Sequence, residues 1–156
     1  MTNPSQISEA DVLIVAVTTH QMNSAISGLS HVRFPCVTSV QNGVRWYDQL
    51  SEVFGVANVI GASASISGEI AASGEVSFTY NGCFEAGEST VRVQGLSAML
   101  QRSGVNSASD ANILTVQWSK LVACVGATSL GLLTRLETYK FASDFGCALV
   151  WARVMR

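Results

Sequence analysis

SVQNGVRWYDQLSEVFG, residues 39–55, decides how the chain is read. An Asn-Gly pair between apolar stretches is a strong signal for a two-residue hairpin turn, because both central positions of that turn favour positive φ. The residues after Asn42-Gly43 argue otherwise. Trp46, Tyr47, Leu50, Val53 and Phe54 recur at helical spacing, and Gly55 supplies a stop. The pair is therefore predicted to end a strand and open a helix. In an α/β sheet that corner lies at the carboxyl end of a strand, where ligands bind.

Outward from this corner the pattern repeats. Upstream, ADVLIVAV (residues 10–17) is a continuous apolar run with β-branched enrichment, which predicts a strand over 12–17 buried on both faces of a parallel sheet. A helix is expected from about Gln21 to Leu29, then a second strand in PCVTSV (residues 35–40). After the helix ending at Gly55, ANVIGASASIS (residues 57–67) supplies a third strand. Strand, helix, strand, helix, strand with short connections predicts βαβ units. GEVSFTY, NG and CFEAGE (residues 74–88) read as a hairpin turning at Asn81-Gly82. STVRVQGLSAMLQRSG (residues 89–104) reads as an amphipathic helix with Ser89 or Thr90 as N-cap. VNSASD (residues 105–110) is expected to lead out of the sheet. No strand pattern follows Ala111: one long helix over Ile113 to Leu133 and a second from about Glu137 to the end are predicted, with a domain boundary near residue 110.

The chain of 156 residues fits one domain, or one domain and part of another. Hydrophobic residues make up 48%, enough for a core, but charged residues only 13%, against roughly 25% in an ordinary soluble domain. So sparse a surface charge points to faces that more protein is meant to cover. The net charge of −2 is scattered over both signs, with no basic stripe for a phosphate backbone, so nucleic acid is not expected as a partner. Cys36, Cys83, Cys124 and Cys147 form no C-x-x-C pair, and the polar start is unlike a signal peptide. These features predict free thiols in a reducing cytoplasm. The apolar run from Leu121 to Leu133 is read as too short for a bilayer, which needs roughly 20 residues.

Few residues can carry chemistry. Between Asp110 and Arg135 the only charged residue is Lys120. An ammonium on so apolar a helix either reaches water past its packed stem or points into a cleft, where it can donate a proton or hold a carboxylate. Asn42 likewise has two readings: an amide that satisfies its own turn, or a donor and acceptor offered to a ligand at the strand end. His20 and His31 have no ligand spacing suggestive of zinc, and no metal site is expected. No G-x-G-x-x-G, P-loop or G-x-S-x-G is present.

The order of ADVLIVAVTTHQ, the QNGV corner, VIGASAS, GEVSFTYNG and DANILTVQWSKLVACVGATSLGLLT resembles the ketopantoate reductase (2-dehydropantoate 2-reductase) family over Asp11 to about Thr134. The resemblance implies an incomplete Rossmann-like, mostly parallel sheet with a hairpin over 1–109, the later part of an NADP-binding domain. Residues 110–156 would then begin an α-helical domain. It implies reduction of the ketone of ketopantoate by NADPH, a step of pantothenate biosynthesis, in a cytoplasmic and self-associating enzyme. The family's catalytic lysine corresponds to Lys120, its strand-end asparagine, which touches cofactor and substrate, to Asn42, and a cofactor-side glutamine to Gln21. Two substrate-binding asparagines of the family correspond to Cys124 and Thr128, and a strand-end lysine to Thr18. Cysteine and threonine cannot reproduce an amide's paired donor and acceptor. The family's glycine-rich pyrophosphate turn and its later helical residues have no counterpart in these 156 residues. The chain is accordingly expected to have little or no reductase activity by itself. Two other expectations are a non-catalytic, self-associating interaction module, and a reductase fragment for a different keto or hydroxy acid.

Overall fold

The computed structural model describes residues 4–87 and 90–155. They belong to two compact units, Met1–Leu114 and Thr115–Arg156. The first unit opens with strand β1 (Leu13–Val15), helix α1 (Met22–Ser27) and strand β2 (Val37–Ser39). The two strands pair in parallel, Leu13 opposite Val37 and Val15 opposite Ser39. Helix α2 (Trp46–Phe54) follows, and a parallel bridge between Val37 and Val59 brings the next segment alongside β2. The first βαβ unit is thus formed as the sequence predicted, whereas the third strand expected over residues 57–67 meets β2 only at that bridge, and the strand that begins at Ala62 belongs to a second sheet. Val15, Met22, Ile26, Val37, Trp46 and Leu50 interlock as one buried cluster of strand and helix side chains. Burial of β1 on both faces is not realised: Val15 is buried, but Ile14 on the opposite face is 37% exposed. The strand is also shorter than the apolar run that contains it.

Strand β3 (Ala62–Ala72) and strand β4 (Glu75–Gly87) form a long antiparallel hairpin. Its turn is Ser73-Gly74, with Gly74 at φ +79°, and not Asn81-Gly82 as the sequence suggested. Asn81 and Gly82 lie inside β4, where the register shifts between the pairs Ala64/Phe84 and Ile66/Asn81. A β-carbon on Gly82 would stand 1.9 Å from the carbonyl oxygen of Ser65. The glycine therefore serves a bulge, where backbones approach closely, and not a turn. Helix α3 (Val91–Arg102) starts at Thr90, whose hydroxyl accepts from the Val93 N–H; Ser89 lies outside the described residues. Val93 and Leu96 pack on Ala62, Phe84 and Ala86 in a second buried cluster. The segment expected to leave the sheet instead forms strand β5 (Ser107–Asp110), parallel to β4. Its pairing is made by backbone, with Ser107 buried and its hydroxyl donating to Ser97 at 3.0 Å, so it carries no apolar signature.

The second unit is helical. Helix α4 (Ile113–Thr134) begins in the first unit and runs for 22 residues. By length and composition it is long and apolar enough to cross a membrane, so the expectation that its apolar run is too short does not hold. It packs as a partner of other helices instead. The Trp151 indole N–H donates to the Ala123 carbonyl at 3.2 Å, and a β-carbon on Gly126 would meet the same ring at 2.7 Å. Arg135, at φ +56°, ends α4 with its N–H on the Gly131 carbonyl, a left-handed cap. The single helix predicted from about Glu137 is divided into α5 (Thr138–Ser143) and α6 (Phe145–Val154). Asp144 takes extended angles between them, and its carboxylate accepts from the Cys147 N–H at 2.9 Å. The side chain thereby satisfies a first-turn donor that a continuous helix would not have left open.

Candidate site at the carboxyl ends of the first two strands

Polar side chains in β2 explain how its carboxyl end is held. The Thr38 hydroxyl donates to the Ile60 carbonyl at 2.9 Å on one side, and the Ser39 hydroxyl donates to the Val15 carbonyl at 3.1 Å on the other. Both residues are buried, so each hydroxyl must be paired to avoid a desolvation cost. The same Ser39 oxygen accepts the Gln41 N–H at 3.1 Å, and the Gln41 carboxamide donates to the Val17 carbonyl at 2.5 Å. The backbones leaving β1 and β2 are therefore tied together just before Thr18 and Asn42.

Asn42 follows directly and is exposed. Gly43 beside it has φ +100°, and no heavy atom lies within 4 Å of where its β-carbon would be. The corner thus presents a carboxamide next to open space, as its place between strand and helix suggested. On the β1 side, a 3-10 turn over Thr19–Gln21 carries the chain toward α1. The Gln21 carboxamide oxygen accepts from the Thr18 N–H at 3.3 Å and from the Thr18 hydroxyl at 2.8 Å. That fixes the oxygen end of the amide and leaves its NH2 group as the donor it can offer a ligand. The Thr18 hydroxyl is also 3.3 Å from His20 Nε2. Gln21 and Asn42 therefore share one edge of the sheet.

Lys120, Cys124 and Thr128 lie four residues apart on α4, along one face of the helix, in the second unit. Lys120 and Cys124 are half-buried and Thr128 is exposed. One turn before Lys120, Gln117 is buried at 5% exposure, a polar residue on this apolar helix to which the sequence reading gave no weight. Gln41 was likewise missed. Its signal was a polar residue placed between an apolar strand and the Asn-Gly pair.

No group of three or more His, Cys, Asp or Glu residues suited to a metal ion occurs among the described residues. The cysteines are free thiols, and burial raises the pKa of Cys36 above the ordinary thiol value, with the nearby Arg92 guanidinium opposing the rise. A nicotinamide cofactor fits this edge in part. Two primary amides and open space beside Gly43 suit the amide-bearing ring. A glycine-rich cradle of backbone N–H groups for the pyrophosphate is not found among the 156 residues.

Comparison with known proteins bears on the same region. The family model described as Ketopantoate reductase PanE/ApbA matches residues 1–90. No curated protein matches the sequence. The structure superposes on 2-dehydropantoate 2-reductase from Geobacter metallireducens GS-15 with a TM-score of 0.87 at 21% identity, covering 99% of this chain and 55% of that one. A PanE/ApbA family ketopantoate reductase from Ralstonia eutropha JMP134 gives 0.80 at 24% identity, covering 99% and 52%. The dimeric ketopantoate reductase from Staphylococcus aureus gives 0.75 at 25% identity, covering 95% and 54%. The chain spans about half the length of these proteins.

Proposed function

The chain belongs to the ketopantoate reductase PanE/ApbA family, and from that premise we propose that it carries part of the site of an NADPH-dependent reductase of a 2-keto acid, ketopantoate first among them. The supporting observation is the shared carboxyl edge of β1 and β2, where Gln21 and Asn42 lie on backbones joined by the Gln41–Val17 bond. In this reading both amides bind the nicotinamide end of the cofactor, and Asn42 also touches the substrate.

When bound, the reduced cofactor supplies a hydride to the ketone carbon. Negative charge then develops on the ketone oxygen, and a positioned acid stabilises it and completes the alcohol. Lys120 is that acid: its ammonium donates a proton to the oxygen, giving the hydroxyl. Half-burial on an apolar helix suits this role, since a drier setting strengthens the interaction of ammonium with developing oxyanion. Cys124 and Thr128 follow Lys120 on the same helix face, at the positions where the family resemblance puts substrate-binding asparagines. Neither offers an amide, and this favours a second reading, in which the substrate is a different 2-keto acid.

The four free cysteines fit a reducing compartment, the cytoplasm. The 156 residues alone are expected to oxidise NADPH with ketopantoate no faster than a protein-free blank, because they lack the pyrophosphate cradle. Turnover that disappears in Lys120→Ala would overturn that expectation. A chain extended upstream by a glycine-rich strand and turn is expected to turn over, and Lys120→Ala should then cost about 10²- to 10⁴-fold. Unchanged turnover in that variant would remove Lys120 from the mechanism, and a panel of 2-keto acids separates the two substrate readings.

A further inference from the structure

The two amides at the carboxyl edge of β1 and β2 are held to different degrees. Gln21 is pinned: its carboxamide oxygen accepts from the Thr18 N–H at 3.3 Å and from the Thr18 hydroxyl at 2.8 Å. The Gln21 N–H closes the same turn by donating to the Thr18 carbonyl at 2.9 Å. A backbone N–H can only donate, so the side-chain atom that meets it must be the oxygen. Turning the amide over would set its NH2 group against another donor. Asn42 differs. Among the described residues no partner holds its carboxamide, and, being exposed, it can present either its oxygen or its NH2 group.

A donor that cannot invert, beside an amide that can, determines which ring substituents fit. Against a ring carboxamide, Gln21 donates to the carbonyl oxygen and Asn42 accepts from the NH2 group. Against a ring carboxylate, Gln21 still donates to one oxygen, and Asn42 turns over to donate to the other. Both contacts are then made to an ionised acceptor, which strengthens them. Residues 12–47, which form this edge, contain Arg33 and Arg45 but no Asp or Glu. A carboxylate therefore meets no like charge from these residues.

We propose that Thr18 is a positioning residue that commits Gln21 to donation, so that this edge recognises an acceptor oxygen on the pyridine ring. The edge then takes the carboxylate form of the ring at least as well as the carboxamide form. The inference rests on the reading that the edge binds the nicotinamide end of a cofactor, and it adds which atoms of that end are read. Thr18 acts through Gln21 and touches no ligand itself.

The test is NMR titration of the labelled 156-residue chain with nicotinamide mononucleotide and with nicotinic acid mononucleotide, which differ only in that ring substituent. In the unsubstituted chain both should shift the Gln21 and Asn42 side-chain amides, the acid with a Kd equal to or lower than that of the amide. Gln21→Glu keeps an oxygen for Thr18 and replaces the NH2 group by a second acceptor. Read at Asn42, the acid should then weaken by about tenfold or more relative to the amide. Thr18→Val should move the Gln21 Cδ resonance toward that of an unbonded amide and weaken both ligands by a common factor, and Thr18→Ser should restore both readings. Thr18 and Gln21 are exposed, so the fold should survive these replacements, as circular dichroism checks. A preference for the amide in the unsubstituted chain, an unchanged preference in Gln21→Glu, or a Gln21 Cδ resonance indifferent to Thr18→Val overturns the proposal and leaves the cofactor edge standing. If neither ligand shifts these amides, the cofactor edge falls and the proposal with it.

Discussion

The sheet unit and the helical unit are held by different means. In the first, helices and strands close over two buried clusters, from Val15 and Met22 to Leu50, and from Cys36 to Leu96. In the second, the buried apolar side chains among the described residues are Leu130 and Phe141, and Leu132, Leu133 and Phe145 remain more than 75% exposed. Its order comes from a few close contacts, with Trp151 set against Gly126, Ala123 and the Phe141 ring, whose centroid is 5.7 Å away. The polar corner at Asn42 thus stands on a part that has a core of its own, while Lys120 stands on a part with little buried apolar surface. Burial is what stabilises a fold at about 25 cal/mol per Å² of apolar area, so the two units should respond unequally to comparable damage.

The most damaging substitution belongs to the sheet unit. Gly82→Val has no space for its side chain beside the Ser65 carbonyl, and a loss of at least about 4 kcal/mol is expected. Denaturant unfolding measures it, and a loss below about 1 kcal/mol would mean that the bulge relaxes at little cost. Phe141→Ala comes next. This ring is 1% exposed, and its truncation should cost about 3–5 kcal/mol. In a unit with so little burial, that loss should melt the helices while the sheet unit keeps its own transition. One shared transition in both proteins would erase the contrast between the units.

Smaller effects sharpen the comparison at helix ends. Thr90→Ala removes the hydroxyl that accepts the Val93 N–H and should lower stability by about 1 kcal/mol, with Thr90→Ser restoring most of it. The counterpart in the helical unit is Asp144, whose pKa is lowered by the Cys147 N–H. Its folded value lies below its unfolded one, so the stability it contributes is present above the ordinary carboxylate value of about 3.9 and is lost as pH falls through the depressed folded value. Asp144→Asn keeps a capping oxygen but not the titration. The melting difference between it and the unsubstituted chain should change only in that acidic window, and by the least of these effects, because the group is fully exposed.

Local patterns reported the parallel half of the fold well. The helical spacing after Gly43 overruled the hairpin signal of Asn42-Gly43, and the apolar runs around Val15 and Val37 marked true strands. The same reasoning failed at Asn81-Gly82, where the pair has a turn's composition but Ser65 on the partner strand supplies the constraint. Strand β5 escaped because Ser107 to Asp110 pair through backbone alone. Ser143-Asp144 held a capping signal for the break before α6, but the apolar residues around it read as continuous. At the candidate site, Asn42 stood out as the strand-end corner and Lys120 as the one charge of an apolar run, each with a bland reading beside the functional one, whereas Gln21 stood out only through family resemblance. Gln41 was marked locally only as a polar residue between an apolar strand and the Asn-Gly pair, and the bond that gives it a role reaches a carbonyl 24 residues away, just past β1.

The central claim is that the joined ends of β1 and β2 bind the nicotinamide end of a cofactor. Its most direct test is to titrate the isotopically labelled chain with reduced nicotinamide mononucleotide and follow the side-chain amide resonances by NMR. The account predicts saturable shifts of the Asn42 and Gln21 amides, with the Gln21 response lost in Asn42→Ala. Shifts confined to other residues, or a Gln21 response unchanged in that variant, would contradict it.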